Sequence, residues 1–305
     1  MVKRPSISIV GAGRVGSALA FLLHRKGYPL TGVASRTLAS ARRVADALQV
    51  PATLQPEIVT VRADVVFITT PDRVIAPVAS KIRARRGFHS GQVVFHTSGA
   101  HTSEEVGAAR RAGAYAASLH PLQSFATVET ALKNLPGSYF ALDGDPEAMP
   151  VARQIVKDLK GKILVISTKE KPLYHAAACI ASNYLVALMH WATGLYDRFG
   201  LSREEAFQAL WPLIRGTLNN IQHLGPTQAL TGPIDRGDGP TLQGHLEAMA
   251  GIGRNDLALY CKLGLYTIQV ALEKGSIRPE QGKQMEKIFW QGIASSRIRQ
   301  KIKKR

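Results

Sequence analysis

The sequence predicts an α/β fold, a doubly wound parallel sheet with helices on both faces, followed by an all-α C-terminal domain. Three observations predict it. Short runs rich in Val, Ile and Thr alternate with helical runs through the first half of the chain, a glycine turn stands between the first such run and the first helical one, and no β-type run follows residue 167. The expected organisation is a sheet domain over residues 1–167, a helical domain over 168–296 and a basic tail over 297–305.

Residues 6–10 (SISIV), 30–35 (LTGVAS), 63–70 (ADVVFITT), 91–98 (GQVVFHTS) and 114–120 (AYAASLH) read as strands bounded by Gly, Pro or Asp. Helical stretches lie between them over 14–27, 37–50 and 70–85. Pro71 falls at a helix start, where its missing N–H costs nothing. Residues 138–144 (SYFALDG) and 162–167 (KILVIS) read as two further strands at the far edge, joined by a helix over 146–161. Helices then follow over 171–200, 202–225, 238–251, 255–275 and 279–293, several of them ending in Gly. Ser202 with Glu205 three residues on has the form of a capping box. The longest apolar stretch, about residues 173–195, contains His175, Asn183 and His190 and therefore reads as a buried core helix rather than a membrane span.

Composition bounds the function. Of the 305 residues, 45% are hydrophobic and 20% charged, which is ordinary for a soluble globular chain and excludes a disordered or fibrous one. The 39 basic against 22 acidic residues give a formal charge of +17, which favours acidic ligands or nucleic-acid surfaces in general without choosing between them. Part of that excess is the tail, with Arg297, Arg299, Lys301, Lys303, Lys304 and Arg305, read as a solvated terminus. Cys179 and Cys261 stand far apart and form no metal or redox motif, so no metal is expected and a reducing cytoplasmic setting is. A core strand begins almost at Met1, leaving no room for a signal peptide.

The strongest local motif is Gly11-Ala12-Gly13-Arg14-Val15-Gly16, directly after a strand and opening an apolar helix. In that context the first glycine permits the tight turn, the second lets backbone approach a pyrophosphate, and the third lets helix and strand pack closely. The helix N-terminus then offers free N–H groups to phosphate. At the end of the second strand, where an acid would bind the ribose hydroxyls of NAD, the chain has Ser35, Arg36 and Thr37. Arg36 suits a 2′-phosphate, with Ser35 or Thr37 donating beside it, so NADP is the expected cofactor. Thr70, Pro71 and Ser98, at the carboxyl ends of two further strands, are expected to line its ribose and nicotinamide half.

Three groups are candidates for chemistry. His120, at the end of the strand SLHP, is placed over the cofactor cleft. On the helix from Lys171, His175 and Ser182 lie about 20° apart and Asn183 about 80° from His175, so one side carries polar groups amid Ala, Ile and Leu. Such groups need partners: other helices or a substrate. A carbonyl under reduction builds negative charge on oxygen that a positioned His, Lys or Asn donor stabilises. The loop TGPIDRGD offers Arg236 as a clamp for a carboxylate and Asp238 as either a further substrate contact or an N-cap.

IVGAGRVGSALA, ASRT, HTSGA, SLHPLQSF, YHAAACIASNYLVAL and TGPIDRGD together resemble the Rossmann-like two-domain oxidoreductases whose helical C-terminal domain is catalogued as of unknown function. The wider group, with a second domain like that of 6-phosphogluconate dehydrogenase, includes ketopantoate, pyrroline-5-carboxylate and F420-dependent NADP reductases. The resemblance covers nearly the whole chain and implies a homodimer and a ketopantoate-reductase-like hydride transfer. Ketopantoate reductases use a helix Lys with an Asn four residues later; here Lys171 has His175 at that spacing and Asn183 comes later. The analogy therefore places His175 and Asn183 at the site, with Lys171 as the weaker candidate.

The resulting expectation is an NADP-dependent oxidoreductase acting on a small oxo acid or similar carbonyl, with no membrane partner. Two other readings stand beside it: a module that binds NADP without turnover, and a nucleic-acid binder acting through the basic surface, which would show strongly salt-dependent affinity.

Overall fold

The computed structural model describes residues 4–302, with the side chains of Arg254 and of residues 296–302 outside the description. The basic positions expected to form the tail therefore lie outside the described side chains. The chain forms two compact units, Met1–Leu188 and Met189–Arg305.

The first unit is built on one eight-stranded sheet, ordered β3-β2-β1-β4-β5-β6-β7-β8. The strands are β1 (Ile7–Val10), β2 (Leu30–Ala34), β3 (Ala52–Thr53), β4 (Val65–Ile68), β5 (Val93–His96), β6 (Tyr115–Pro121), β7 (Tyr139–Gly144) and β8 (Lys162–Val165). The first six run parallel, as expected. β7 pairs antiparallel with β6, and β8 runs parallel to β7, so the far edge is reversed. The short connection after β6, which holds only the helix α6 below, returns β7 alongside it without a full crossover.

The central strands β1, β4 and β5 are buried along their whole length. Their alternate residues feed two separate cores: Val65 and Phe67 of β4 join Ile7 and Ile9, while Val66 and Ile68 join Val10 and Val94. Helices α1 (Arg14–Arg25), α2 (Leu38–Leu48), α6 (Val128–Asn134) and α7 (Met149–Asp158) cover the first core. Helices α3 (Pro56–Thr60), α4 (Ile75–Ala84) and α5 (Gly107–Arg110) cover the second. Helices α3, α5 and α6 are too short to show a sequence period.

The unit ends in α8 (Lys171–Cys179) and a π-helical turn (Ile180–Tyr184), which lead into α9 (Leu185–Leu195). The expectation of a buried core helix here is corrected. Leu173 is 76% exposed and Val186 68%, with Ile180 and Tyr184 also exposed. Lys171–Phe199 is long and apolar enough to cross a membrane by length and composition, and none of its apolar window is buried. Hydropathy records that a face is apolar and not what covers it.

The second unit is helical, with α10 (Arg203–Gln228), α11 (Gly239–Ala250), α12 (Arg254–Lys274) and α13 (Pro279–Ile302), and no strand occurs in it among the described residues. Its core joins Leu242, Leu257, Cys261, Ile268, Met285 and Phe289. The expected capping box starts α10: Ser202 Oγ accepts from the Glu205 N–H, and the Glu205 carboxylate accepts from the Ser202 N–H at 2.8 Å. The helix kinks at Gly225, whose φ of +80° is non-helical. Helix α13 runs on to Ile302, past the expected end at residue 293.

Candidate active site

At the carboxyl end of β1 the chain turns into α1 through Gly11, whose φ of +116° suits glycine. Gly16 is pressed against the turn, and a Cβ there would stand 2.0 Å from the Gly11 carbonyl oxygen and 2.3 Å from Thr69 Oγ1. Thr69 Oγ1 locks the turn by donating to that same carbonyl at 2.6 Å. Gly13 is different: it is the N-cap of α1, offers no side-chain cap, and has nothing within 4 Å of where a Cβ would be. The first-turn N–H groups of α1 therefore face open space, with Arg14 exposed and Val15 half-buried beside them. Thr70 Oγ1, just after β4, is buried without a partner among the described residues. An open, uncapped helix N-terminus and a buried orphan hydroxyl fit a dinucleotide laid across this edge.

The second-strand positions divide. Thr37 N-caps α2, its hydroxyl accepting from the Ser40 N–H at 3.3 Å. The Ser35 N–H is held by the Thr53 carbonyl. Arg36 is exposed and has no ion-pair partner among the described residues. Pro71 is exposed just before a 3-10 turn over Asp72–Val74. Ser98 is buried and its Oγ closes the loop after β5, accepting from the N–H groups of Ala100 and His101 at 3.2 Å each.

Further along the same edge, side chains from β6 and α8 converge. His120 ends β6, and its Nδ1 lies 2.8 Å from the Tyr174 hydroxyl. Its ring meets that of His175 edge-on, with centroids 6.3 Å apart. Gly99 packs beside the two rings. A Cβ there would stand 2.7 Å from His120 Nε2 and 2.8 Å from His175 Cδ2, so only glycine lets the loop lie against both rings. A cavity of about 710 Å³ opens here, lined by His120, Gln123, Ser124, Tyr174, His175, Cys179, Ser182 and Asn183. No Lys, Arg, Asp or Glu is among its described lining residues. The π-helical turn carries Ser182 and Asn183 to this wall, a device often found at functional sites.

Lys171 takes another place. Its side chain is fully enclosed, donating to Ser118 Oγ of β6 and paired with Asp143 of β7. Asp143 also accepts from the Ser103 N–H at 2.8 Å, tying the loop after β5 into the same cluster. Burial pushes the ammonium below the usual lysine value, and Asp143 opposes that. A direct proton-donor role for Lys171 is thus corrected: it anchors the start of α8 from behind. Above it, His96 accepts from the Ser98 N–H at Nδ1 and donates from Nε2 to the Thr102 carbonyl at 2.8 Å. Desolvation, reinforced by Lys171, pushes both His96 and His120 down to about 4, so both are neutral at pH 7.

In the second unit, Asp238 takes the N-cap role, with its two oxygens accepting from the N–H and the hydroxyl of Thr241. Of the two roles expected for Asp238, the structure shows the N-cap. Asp235 is paired with Lys274 at 2.9 Å, whereas Arg236 is exposed with no ion pair among the described residues. No cluster of three His, Cys, Asp or Glu able to hold a metal occurs among the described residues. Sequence reasoning did not single out Ser118, Asp143 and Tyr174, and it placed Gly99 only at a strand end beside the cofactor, not against the two histidine rings.

Comparison with known proteins places this geometry. Residues 2–121 match the family model of the Rossmann-like domain, and residues 138–267 match the domain of unknown function DUF2520. Protein TM1727 from Thermotoga maritima is 29% identical, with a TM-score of 0.70 over 88% of this chain and 99% of its own. A candidate NADP oxidoreductase, BF3122, from Bacteroides fragilis is 20% identical, with a TM-score of 0.65 over 93% and 98% of the two chains. The 1-pyrroline-5-carboxylate reductase of Streptococcus pyogenes is 16% identical, with a TM-score of 0.59 over 93% and 99%. The last two likenesses show the fold. No curated protein matches the chain. The chain thus joins a Rossmann-like domain to the C-terminal domain DUF2520.

Proposed function

We propose that the protein is an NADP-dependent oxidoreductase that moves hydride between nicotinamide C4 and a small oxo acid or similar carbonyl. One observation carries the reading: the open glycine turn and the histidine-lined cavity both lie at the carboxyl ends of strands of a single sheet. The fold likeness to a candidate NADP oxidoreductase and to a pyrroline-5-carboxylate reductase supports it. Gly11, Gly13 and Gly16 hold the pyrophosphate against α1, Thr70 takes a hydrogen bond from or gives one to the ribose half, and Arg36 pairs with the 2′-phosphate. The bound cofactor supplies the hydride. His120 and His175 offer N–H donors to the carbonyl oxygen as charge develops on it, and Ser182 and Asn183 orient the rest of the molecule. No cation for a carboxylate is among the described lining residues of the cavity.

NADPH titration by fluorescence tests the first half, with binding in the micromolar range expected and Arg36→Ala weakening NADPH at least about tenfold while sparing NADH. Turnover of a panel of 2-oxo acids and uncharged carbonyls tests the second, with His175→Ala lowering kcat about 10²-fold. Binding without turnover on any substrate would favour the cofactor-binding module instead. The exposed apolar residues Leu173, Ile180, Tyr184 and Val186 support a homodimer, and a mass near one chain by light scattering would remove that part.

A further inference from the structure

We propose that Tyr174 is a positioning residue that fixes His120 in one tautomer, with the proton on Nε2 and that N–H presented to the oxygen of the substrate carbonyl. The inference rests on the reading of the cavity as a carbonyl-reducing site.

The phenol decides the tautomer. Its hydroxyl stands 2.8 Å from His120 Nδ1, and a half-buried O–H must find an acceptor. Nδ1 is the side-chain partner the structure gives it. If Nδ1 carried the proton, the imidazole would donate to the phenol oxygen and the phenol proton would be turned away from its partner. With the phenol as donor, Nδ1 accepts and the ring proton sits on Nε2. Both groups are neutral, as this requires: burial pushes Tyr174 up to about 12 and His120 down to about 4.

The surroundings of His120 hold that state. The Tyr174 hydroxyl of α8 is hydrogen-bonded to it and the His175 ring packs against it, while Lys171 of α8, His96 of β5 and Asp72 after β4 act on it through charge. The buried Lys171 ammonium and the two histidines disfavour a proton on His120, and Asp72 alone favours one. His120 therefore acts as a neutral donor and not as an imidazolium. Its Nε2 has no hydrogen-bond partner among the described residues and lies beside Gly99, and His120 itself lines the cavity. That leaves one N–H without a hydrogen-bond partner among the described residues, on a ring that lines a cavity whose described lining holds no Lys, Arg, Asp or Glu. A preorganised neutral donor there stabilises negative charge on a carbonyl oxygen without first having to be protonated.

The test is long-range proton–nitrogen NMR on protein labelled at histidine, with His120 assigned by its loss in His120→Gln. The wild type is expected to show the His120 proton on Nε2 at pH 7. In Tyr174→Phe the Nδ1–H form should appear, with kcat down about tenfold and the KM for NADPH unchanged. A His120 proton on Nδ1 in the wild type, or an unchanged tautomer in Tyr174→Phe, would overturn the assignment whether or not the protein turns over. Absence of turnover on every carbonyl, with the Nε2–H form in place, would instead overturn the underlying reading of the cavity.

Discussion

The two ends of the site in the first unit are built from different materials. The turn between β1 and α1 is made of backbone: three glycines within six residues, a φ of +116° at Gly11, and Gly16 pressed onto the Gly11 carbonyl. The histidine end is made of side chains drawn from five separate stretches: the loop after β5, the end of β6, β7, the start of α8 and the π-helical turn. The first is sensitive to the size of a single atom at a few positions and indifferent to charge. The second depends on a buried ion pair and on hydrogen bonds among neutral rings. Perturbations of charge should therefore separate the two ends.

Deleting the Lys171 charge should have the largest effect. Lys171→Met leaves Asp143 enclosed with no counter-ion, and removal of one partner of a buried pair costs about 3–5 kcal/mol. Urea unfolding should show that loss, and Lys171→Met combined with Asp143→Leu should recover most of it because neither charge is then stranded. Below the unfolding transition, NADPH affinity at the glycine turn should stay within about threefold of wild type. A single variant that unfolds with less than about 1 kcal/mol of loss would mean the cluster does not anchor α8.

The same division explains what was legible in the sequence. The sheet, its order of elements and the glycine turn were readable because each is signalled within a few residues, by alternation, by β-branched runs or by glycine spacing. His120 and His175 could be singled out from the sequence, the first at the carboxyl end of a strand and the second on the polar side of its helix. Asp143 was not: SYFALDG reads as an ordinary edge strand, and its pairing with Lys171, 28 positions on, is a tertiary fact. Gly99 lies within the HTSGA segment, but nothing local says that two rings will press on it. Tyr174 shares a helix with His175, yet its partner lies across the chain on β6. A helical wheel drawn at even steps has no place for the extra residue of a π-turn, so it does not give the angles of Ser182 and Asn183, which lie inside that turn. Reversal of β7 and exposure of the apolar face near α8 escaped for a related reason, since period and hydropathy do not encode direction or cover.

Acid should act next, and again at the histidine end. His96 is fully buried with both ring nitrogens engaged, and its folded value of about 4 lies below the ordinary 6.5. Between those values the unfolded chain binds a proton that the native state refuses. The stability from burying the neutral ring is complete above about pH 6.5 and is lost progressively as pH falls toward 4, on the order of 3 kcal/mol for His96. His120 adds a loss of the same sign over the same window. Depressed carboxylates such as Asp158 contribute only below the ordinary carboxylate range. Thermal melts between pH 7 and pH 4.5 should thus fall steadily, and less steeply in His120→Gln. A flat profile across this window would contradict the neutral, buried state of these rings.

The smallest effect on stability should come from the turn end, and it sharpens the comparison most. Gly13 is not strained: its φ is −81° and its ψ −167°, and a Cβ there would touch nothing. The fold alone gives no reason for glycine at this position. Gly13→Ala should cost less than about 1 kcal/mol in stability, the loss expected from a poorer N-cap. The methyl group would instead occupy the open space in front of the first-turn N–H groups, where the pyrophosphate approaches. NADPH affinity should fall at least about tenfold, with the cavity and its histidine tautomer unchanged. Isothermal titration of Gly13→Ala beside its melting curve reads both quantities on one sample. Wild-type affinity in this variant would mean that the open helix N-terminus does not receive the phosphate. A large loss of stability would mean that the two ends differ less in their construction than their atoms indicate.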